Sequence, residues 1–211
     1  MWRKIFIAGG LLVVLGWLFW QSVQSSLSEP YVIDQSLVAE WSLVLRSPMQ
    51  AGVGLLALQP TDQLRAELFQ QIFGRTMESM TSPVAAAIPL VLREEYAVLV
   101  ARGVSPDDLR RVAEAVGVAD TAPRPLCIGV VREAVTGGSR QLYYALFASP
   151  AVDEFRRQLV EQADDGGSTS GSFEASPYAL AIPLAASDGD FQSWFPLRVT
   201  ETDCLAPLQV R

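Results

Sequence analysis

Between Tyr96 and Ala186 the sequence alternates apolar runs of strand length with amphipathic runs of helical period, which limits the chain to a small set of α+β folds. Tyr96-Ala97-Val98-Leu99-Val100-Ala101 is a continuous apolar run of the kind buried on both faces of a sheet, and it predicts a central strand. Ser105-Pro106-Asp107-Asp108 then supplies a cap, a proline at the first helical position and two acids in the first turn. Leu109, Val112, Ala113 and Val116 come next at helical spacing, and Gly117 marks the stop. Leu126 to Val131 and Leu142 to Ala148 read as strands around the hairpin chemistry of Val135-Thr136-Gly137-Gly138-Ser139. A second helix opens at Ser149-Pro150 with Val152, Phe155, Leu159 and Ala163 on one face, and Tyr178 to Ala186 is the last strand.

Elements in this order predict a two-layer sandwich, a ferredoxin-like β-α-β-β-α-β unit over residues 96–186. Its first and third strands are then central, and its second and fourth form the edges. Pro183 agrees with an edge, because proline cannot donate to a ladder. Residues 41–95 extend the unit. Trp41 to Arg46 and Gly52 to Leu58 read as a β-hairpin turning at Ser47-Pro48-Met49-Gln50. Pro60-Thr61-Asp62 opens a helix whose Leu64, Leu68, Phe69, Ile72, Phe73, Met77 and Met80 form an apolar face wide enough to need covering, by the sheet or by a partner or lipid. Leu90-Val91-Leu92 is a further short strand, and Arg93-Glu94-Glu95 reads as a polar turn.

The N-terminus carries a separate signal. Met1-Trp2-Arg3-Lys4 precedes a charge-free run from Ile5 to Trp20, slightly short of the roughly 20 residues a bilayer prefers. Trp2, Trp17 and Trp20 stand where interfacial aromatics belong. The expectation is a signal anchor, a single transmembrane helix over residues 1–24, with a cleaved signal peptide as the competing reading. Either exports the remainder of the chain, and the flanking cations keep the N-terminus cytoplasmic. Residues 25–40 read as a linker, and residues 41–211 as the extracytoplasmic domain, with 187–211 as its tail.

Net charge is −7, and Arg3 and Lys4 both lie in the N-terminal flank. Sixteen cations less those two leave 14 Arg against 23 acids, a net of −9 that argues against a nucleic-acid partner. The paired Arg110-Arg111 and Arg156-Arg157 are expected on solvated helix faces. Cys127 and Cys204 are an even pair, which in an exported chain can form a disulfide tying the tail to the second strand, or remain two separate buried thiols. Trp194 and Phe195 in the tail either pack under the sheet edge or present an aromatic interaction surface.

The chain contains no histidine and no lysine beyond Lys4, which removes imidazole catalysis, histidine metal sites and lysine nucleophiles from the domain. Asp164-Asp165 and Asp188-Gly189-Asp190 do not continue into a calcium-binding loop. Glu94-Glu95, as strand neighbours, would point to opposite faces rather than pair as a hydrolase requires. No cofactor and no metal are expected.

Tyr143-Tyr144-Ala145-Leu146-Phe147-Ala148-Ser149-Pro150, leading into a helix, resembles the third strand and second helix of the periplasmic sporulation-related repeat family, with Leu146 or Phe147 where that family usually carries glycine. The resemblance implies binding of septal peptidoglycan. The residues themselves lead to a non-enzymatic, membrane-anchored scaffold or binding protein of the cell envelope with a protein partner; a glycan-binding module and a carboxylate hydrolase are the alternatives.

Overall fold

The computed structural model describes residues 13–18, 21, 25–46, 54–165 and 178–211. In chain order the elements are β1 (Tyr31–Ile33), α1 (Gln35–Ala39), β2 (Trp41–Leu45), β3 (Gly54–Pro60), α2 (Asp62–Thr76), β4 (Ile88–Leu92), α3 (Arg93–Ala101), α4 (Pro106–Ala115), β5 (Arg124–Val135), β6 (Gly138–Ala148), α5 (Pro150–Asp165), β7 (Ala181–Ala186) and β8 (Cys204–Val210). Two sheets result, ordered β1-β8-β5-β6-β7 and β2-β3-β4. All pairs are antiparallel except β1 with β8.

Strand β6 shows why its sequence is apolar without interruption. Tyr143, Ala145 and Phe147 face the main core, while Leu142, Tyr144 and Leu146 face a second cluster with Trp194 and Leu197 from the tail. Successive residues point to opposite faces, so a strand covered on both sides has no position left for a polar residue. Helices α2 and α5 bury the residues their periodicity selects, Leu64, Leu68 and Ile72 on one and Val152, Phe155, Leu159 and Ala163 on the other. Both sheets and all these helices share the main core.

The fold is α+β, with the second, smaller sheet standing beside a curled five-stranded one, and it does not form the ferredoxin-like unit. Tyr96 to Ala101, expected as the central first strand, belongs to helix α3. Glu94 and Glu95 lie in its first turn, and the Glu95 carboxylate accepts the Leu92 N–H at 2.8 Å, which satisfies one of the donors at the helix start. Leu99 is buried while Val98 and Val100 are exposed, so burial follows a helical face. The strand in this region is β4, containing Leu90-Val91-Leu92, and it pairs with β3 in the other sheet. Strand β5, expected at an edge, lies between β8 and β6. Strand β7 is an edge, and Pro183 stands in it.

Residues 25–40 are not a spacer along their length, since they include β1 and α1 and place Tyr31, Ile33, Leu37 and Val38 in the core. The tail likewise enters the sheet as β8. Pro207 interrupts that strand's sequence, but it sits where β8 changes partner: Cys204 to Pro207 face β5, and Leu208 to Val210 face β1. Each half has a partner on one side only, so a missing N–H is tolerated there. The β2–β3 hairpin forms as expected, and its turn at 47–50 lies outside the described residues. Among the described residues no helix is long and apolar enough to cross a membrane. Most of the expected anchor, residues 1–12, 19–20 and 22–24, falls outside them.

Gly129 is required by its cross-strand partner. It pairs with Tyr144, and a Cβ added at Gly129 would stand 2.3 Å from the Tyr144 ring. Gly129→Ala is expected to destabilise the protein by about 3 kcal/mol in urea unfolding. In a Tyr144→Ala background the same substitution is expected to have little effect, because the colliding ring is gone.

Candidate binding cleft

Edge strands expose unpaired N–H and C=O groups that recruit other chains unless something covers them. At three of the edges here, side chains or a neighbouring backbone segment meet them. At β1 the Gln71 amide acts as a substitute strand, its Nε2 donating to Val32 O at 2.6 Å while Val32 N donates to its Oε1 at 3.2 Å. At β7 the backbone of Thr81 makes a two-way bridge to Ala186. At β4 the carbonyls of Pro89 and Leu90 are met by Tyr178 Oη at 2.9 Å and Arg156 Nη1 at 3.0 Å.

The β4 cover is part of a buried network. Arg156, on α5, bonds Glu95 Oε1 through Nη2 at 2.8 Å and donates to the Tyr178 hydroxyl, with its guanidinium 4.4 Å from the Tyr178 ring centre. The side chains of Arg156 and Glu95 are 14% and 3% exposed, so the pair is largely withdrawn from water. Burial pushes the Tyr178 phenol well above its ordinary pKa, against the opposing pull of the Arg156 charge. Tyr178 therefore stays neutral and serves as a hydrogen-bond relay. The network ties α3, α5, β4 and the segment before β7 into one body.

Beyond this network a cleft of about 460 Å³ opens where the edges of β4 and β7 approach. Pro83, Val84, Ala85, Ala87 and Pro89 line one wall, Pro183 and Phe191 the other, and Arg46 and Asp190 bring one charge of each sign. Val84 is 94% exposed, an apolar side chain presented to an opening rather than buried. Burial, with the nearby Arg93 charge second, lowers the Arg46 pKa. Asp190 accepts hydrogen bonds from the Ser193 and Gln192 backbone, and hydrogen bonding from the Ser193 side chain first, then from these backbone groups, holds its carboxyl below the usual carboxylate range. Asp188 bonds Arg140 and caps Asp190 N, so these acids organise a turn. A lining of this kind suits a largely apolar segment that also carries a polar group.

The sequence-expected residues lie elsewhere. Cys127 and Cys204 stand at disulfide distance, Cα–Cα 5.8 Å, joining β8 to β5 beside a wide shallow depression. Trp194 is buried against Cys127, Leu142, Tyr144 and Leu146, with the Arg140 guanidinium 4.4 Å over its ring, and Phe195 is half-buried beside it. Arg140 is itself held by Glu133 at 2.7 Å and by Ser193 Oγ at 2.8 Å. The tyrosines of the peptidoglycan-repeat resemblance, Tyr143 and Tyr144, are fully buried beneath these layers. Sequence reasoning misses the Glu95–Arg156–Tyr178 network, because it puts Arg156 on a solvated face and Glu95 in a turn. One signal is present: Arg156 comes four residues after Val152 and four before Val160, on the margin of the buried stripe, whereas Arg157 projects outward to Glu154 and Glu161.

No protein-family model matches the chain, and no curated protein and no solved structure matches it either.

Proposed function

We propose that this chain is a non-enzymatic scaffold domain, tethered to a membrane by its N-terminal helix and displayed on the extracytoplasmic side, that holds an apolar segment of a protein partner in the β4–β7 cleft. The observation that carries the reading is the cleft itself, largely apolar on both walls and lined in part by Val84, which water surrounds in the free protein. The acids in and near the cleft favour this reading over a carboxylate hydrolase, since Glu95 pairs with Arg156, Asp188 with Arg140, and Asp190 organises its own turn. The tether is supported by residues 13–18, a helical stretch in which Val13, Val14, Leu15, Trp17 and Leu18 are all exposed, an unfavourable state in water and the normal one in lipid. The cysteine pair at disulfide distance fits an oxidising compartment.

A photo-crosslinking side chain at Val84, in the full-length chain in its native membrane, is expected to capture one protein of defined mass. Ala85→Arg, a change at an exposed position on the cleft wall, is expected to abolish that adduct. Labelling at Val84 no stronger than at exposed Thr121, outside the cleft, would contradict the reading.

A further inference from the structure

Most of the apolar face of α2 packs on the core, but its C-terminal end does not. Leu64, Leu68 and Ile72 are buried and Phe69 packs against them, whereas Phe73 is 43% and the C-cap Met77 78% exposed. Phe69 stacks on Phe73 with ring centres 6.3 Å apart and extends the stripe. Met77 also holds the C-cap in the left-handed conformation at φ 54°, the one non-glycine residue with positive φ among the described residues. Glycine or asparagine is the usual occupant of such a position, so a long apolar side chain there is a costly choice with no packing return inside the protein.

The same helix end is fastened to the chain just beyond the N-terminal apolar run. Arg75 donates to the carbonyl oxygens of Ser26 at 3.2 Å, Glu29 at 2.5 Å and Pro30 at 2.8 Å, and its guanidinium lies 3.8 Å from the Tyr31 ring centre. Trp20 and Ser26 are six residue steps apart, a reach of at most about 21 Å even fully extended. Phe73 and Met77 stand two residues to either side of Arg75, at the same helix end that this clamp holds against residues 26–30.

We propose that Phe73 and Met77 insert into the lipid interface beside the anchor, so that the domain stands flush on the bilayer with the C-terminal end of α2 as its contact face. This rests on the tether proposed above. It fits the charge as well, because 14 Arg against 23 acids beyond Lys4 disfavour an electrostatic hold on anionic lipid, whereas an apolar contact does not depend on charge. The clamp on residues 26–30 fixes the orientation of the domain, and with it the direction in which the cleft faces.

The test is site-directed spin labelling of the full chain in phosphatidylcholine nanodiscs under non-reducing conditions, with single labels at Met77→Cys, Phe73→Cys, Val14→Cys and Ala122→Cys. Ala122 is an exposed control two residues before β5. From the start of β5 the ladder runs eight residues, about 27 Å, to Arg132, whose partner Gln141 bonds Glu78 at the end of α2. Labels at 77 and 73 are expected to be several-fold more accessible to oxygen, which concentrates in lipid, than to a water-soluble nickel chelate, with the reverse at 122. A water-accessible label at 77 and 73 alongside a lipid-accessible label at 14 overturns the contact and leaves the tether standing. A water-accessible label at 14 overturns the tether and the contact with it.

Discussion

Arg156→Met is expected to destabilise the protein by about 3–5 kcal/mol, among the largest losses available from one side chain. The reason is the carboxylate left behind. Glu95 is 4% exposed, and Arg156→Met takes away the guanidinium that meets its carboxylate at 2.8 Å, while Leu90 O loses its donor. Removing the charge as well should recover much of the loss: Glu95→Gln in the Arg156→Met background is expected to be more stable than Arg156→Met alone, since a neutral amide tolerates the site and its oxygen can still accept the Leu92 N–H. Urea unfolding of the two single variants and the double variant reads the coupling directly. Additive losses would show that the pair is not the joint between the two sheets. The network also touches the cleft at one point, because Pro89, whose carbonyl accepts the Tyr178 hydroxyl, lines it.

The second large effect is expected from the cysteines. Cys127 and Cys204 are 77 residues apart in sequence, and a cross-link of that span restricts the unfolded chain enough to contribute about 4 kcal/mol in the chain-entropy model. A Cys127→Ser/Cys204→Ser double variant is expected to lose that amount, a large share of the roughly 5–15 kcal/mol typical of a folded domain. The loss should not be evenly distributed. Strand β8 joins β1 to the rest of the sheet, so hydrogen exchange is expected to accelerate first in Cys204–Val210 and Tyr31–Ile33, with β6 retaining its protection. Uniform acceleration across the sheet would contradict the view that the link serves mainly to secure the tail.

Much of this architecture is legible in the residues, and the failures have physical causes. β6 and α5 are readable because both are long enough for period to separate strand from helix, eleven residues of unbroken strand against a four-residue stripe. Pro183 places β7 at an edge through a backbone property that no tertiary contact can override. The run from Tyr96 to Ala101 misleads because six apolar residues fit a buried strand and a helix equally well. The deciding information is Glu95 reaching back to Leu92 N, a contact that shows in sequence only as an acid three residues after the cap. β8 is hidden by Pro207, which is harmless only because the strand changes neighbours there. The cleft is not legible at all, since its walls come from segments more than 90 residues apart, Pro83 to Pro89 on one side and Pro183 to Phe191 on the other.

Fractionation of the native protein with an intact mass, taken with and without reductant before alkylation, reads the tether and the compartment together. A tethered, exported scaffold is expected in the membrane fraction with residues 1–25 retained, its Cys127 and Cys204 resisting alkylation until reduced. A soluble protein whose two thiols react freely without reductant would contradict both the tether and the compartment.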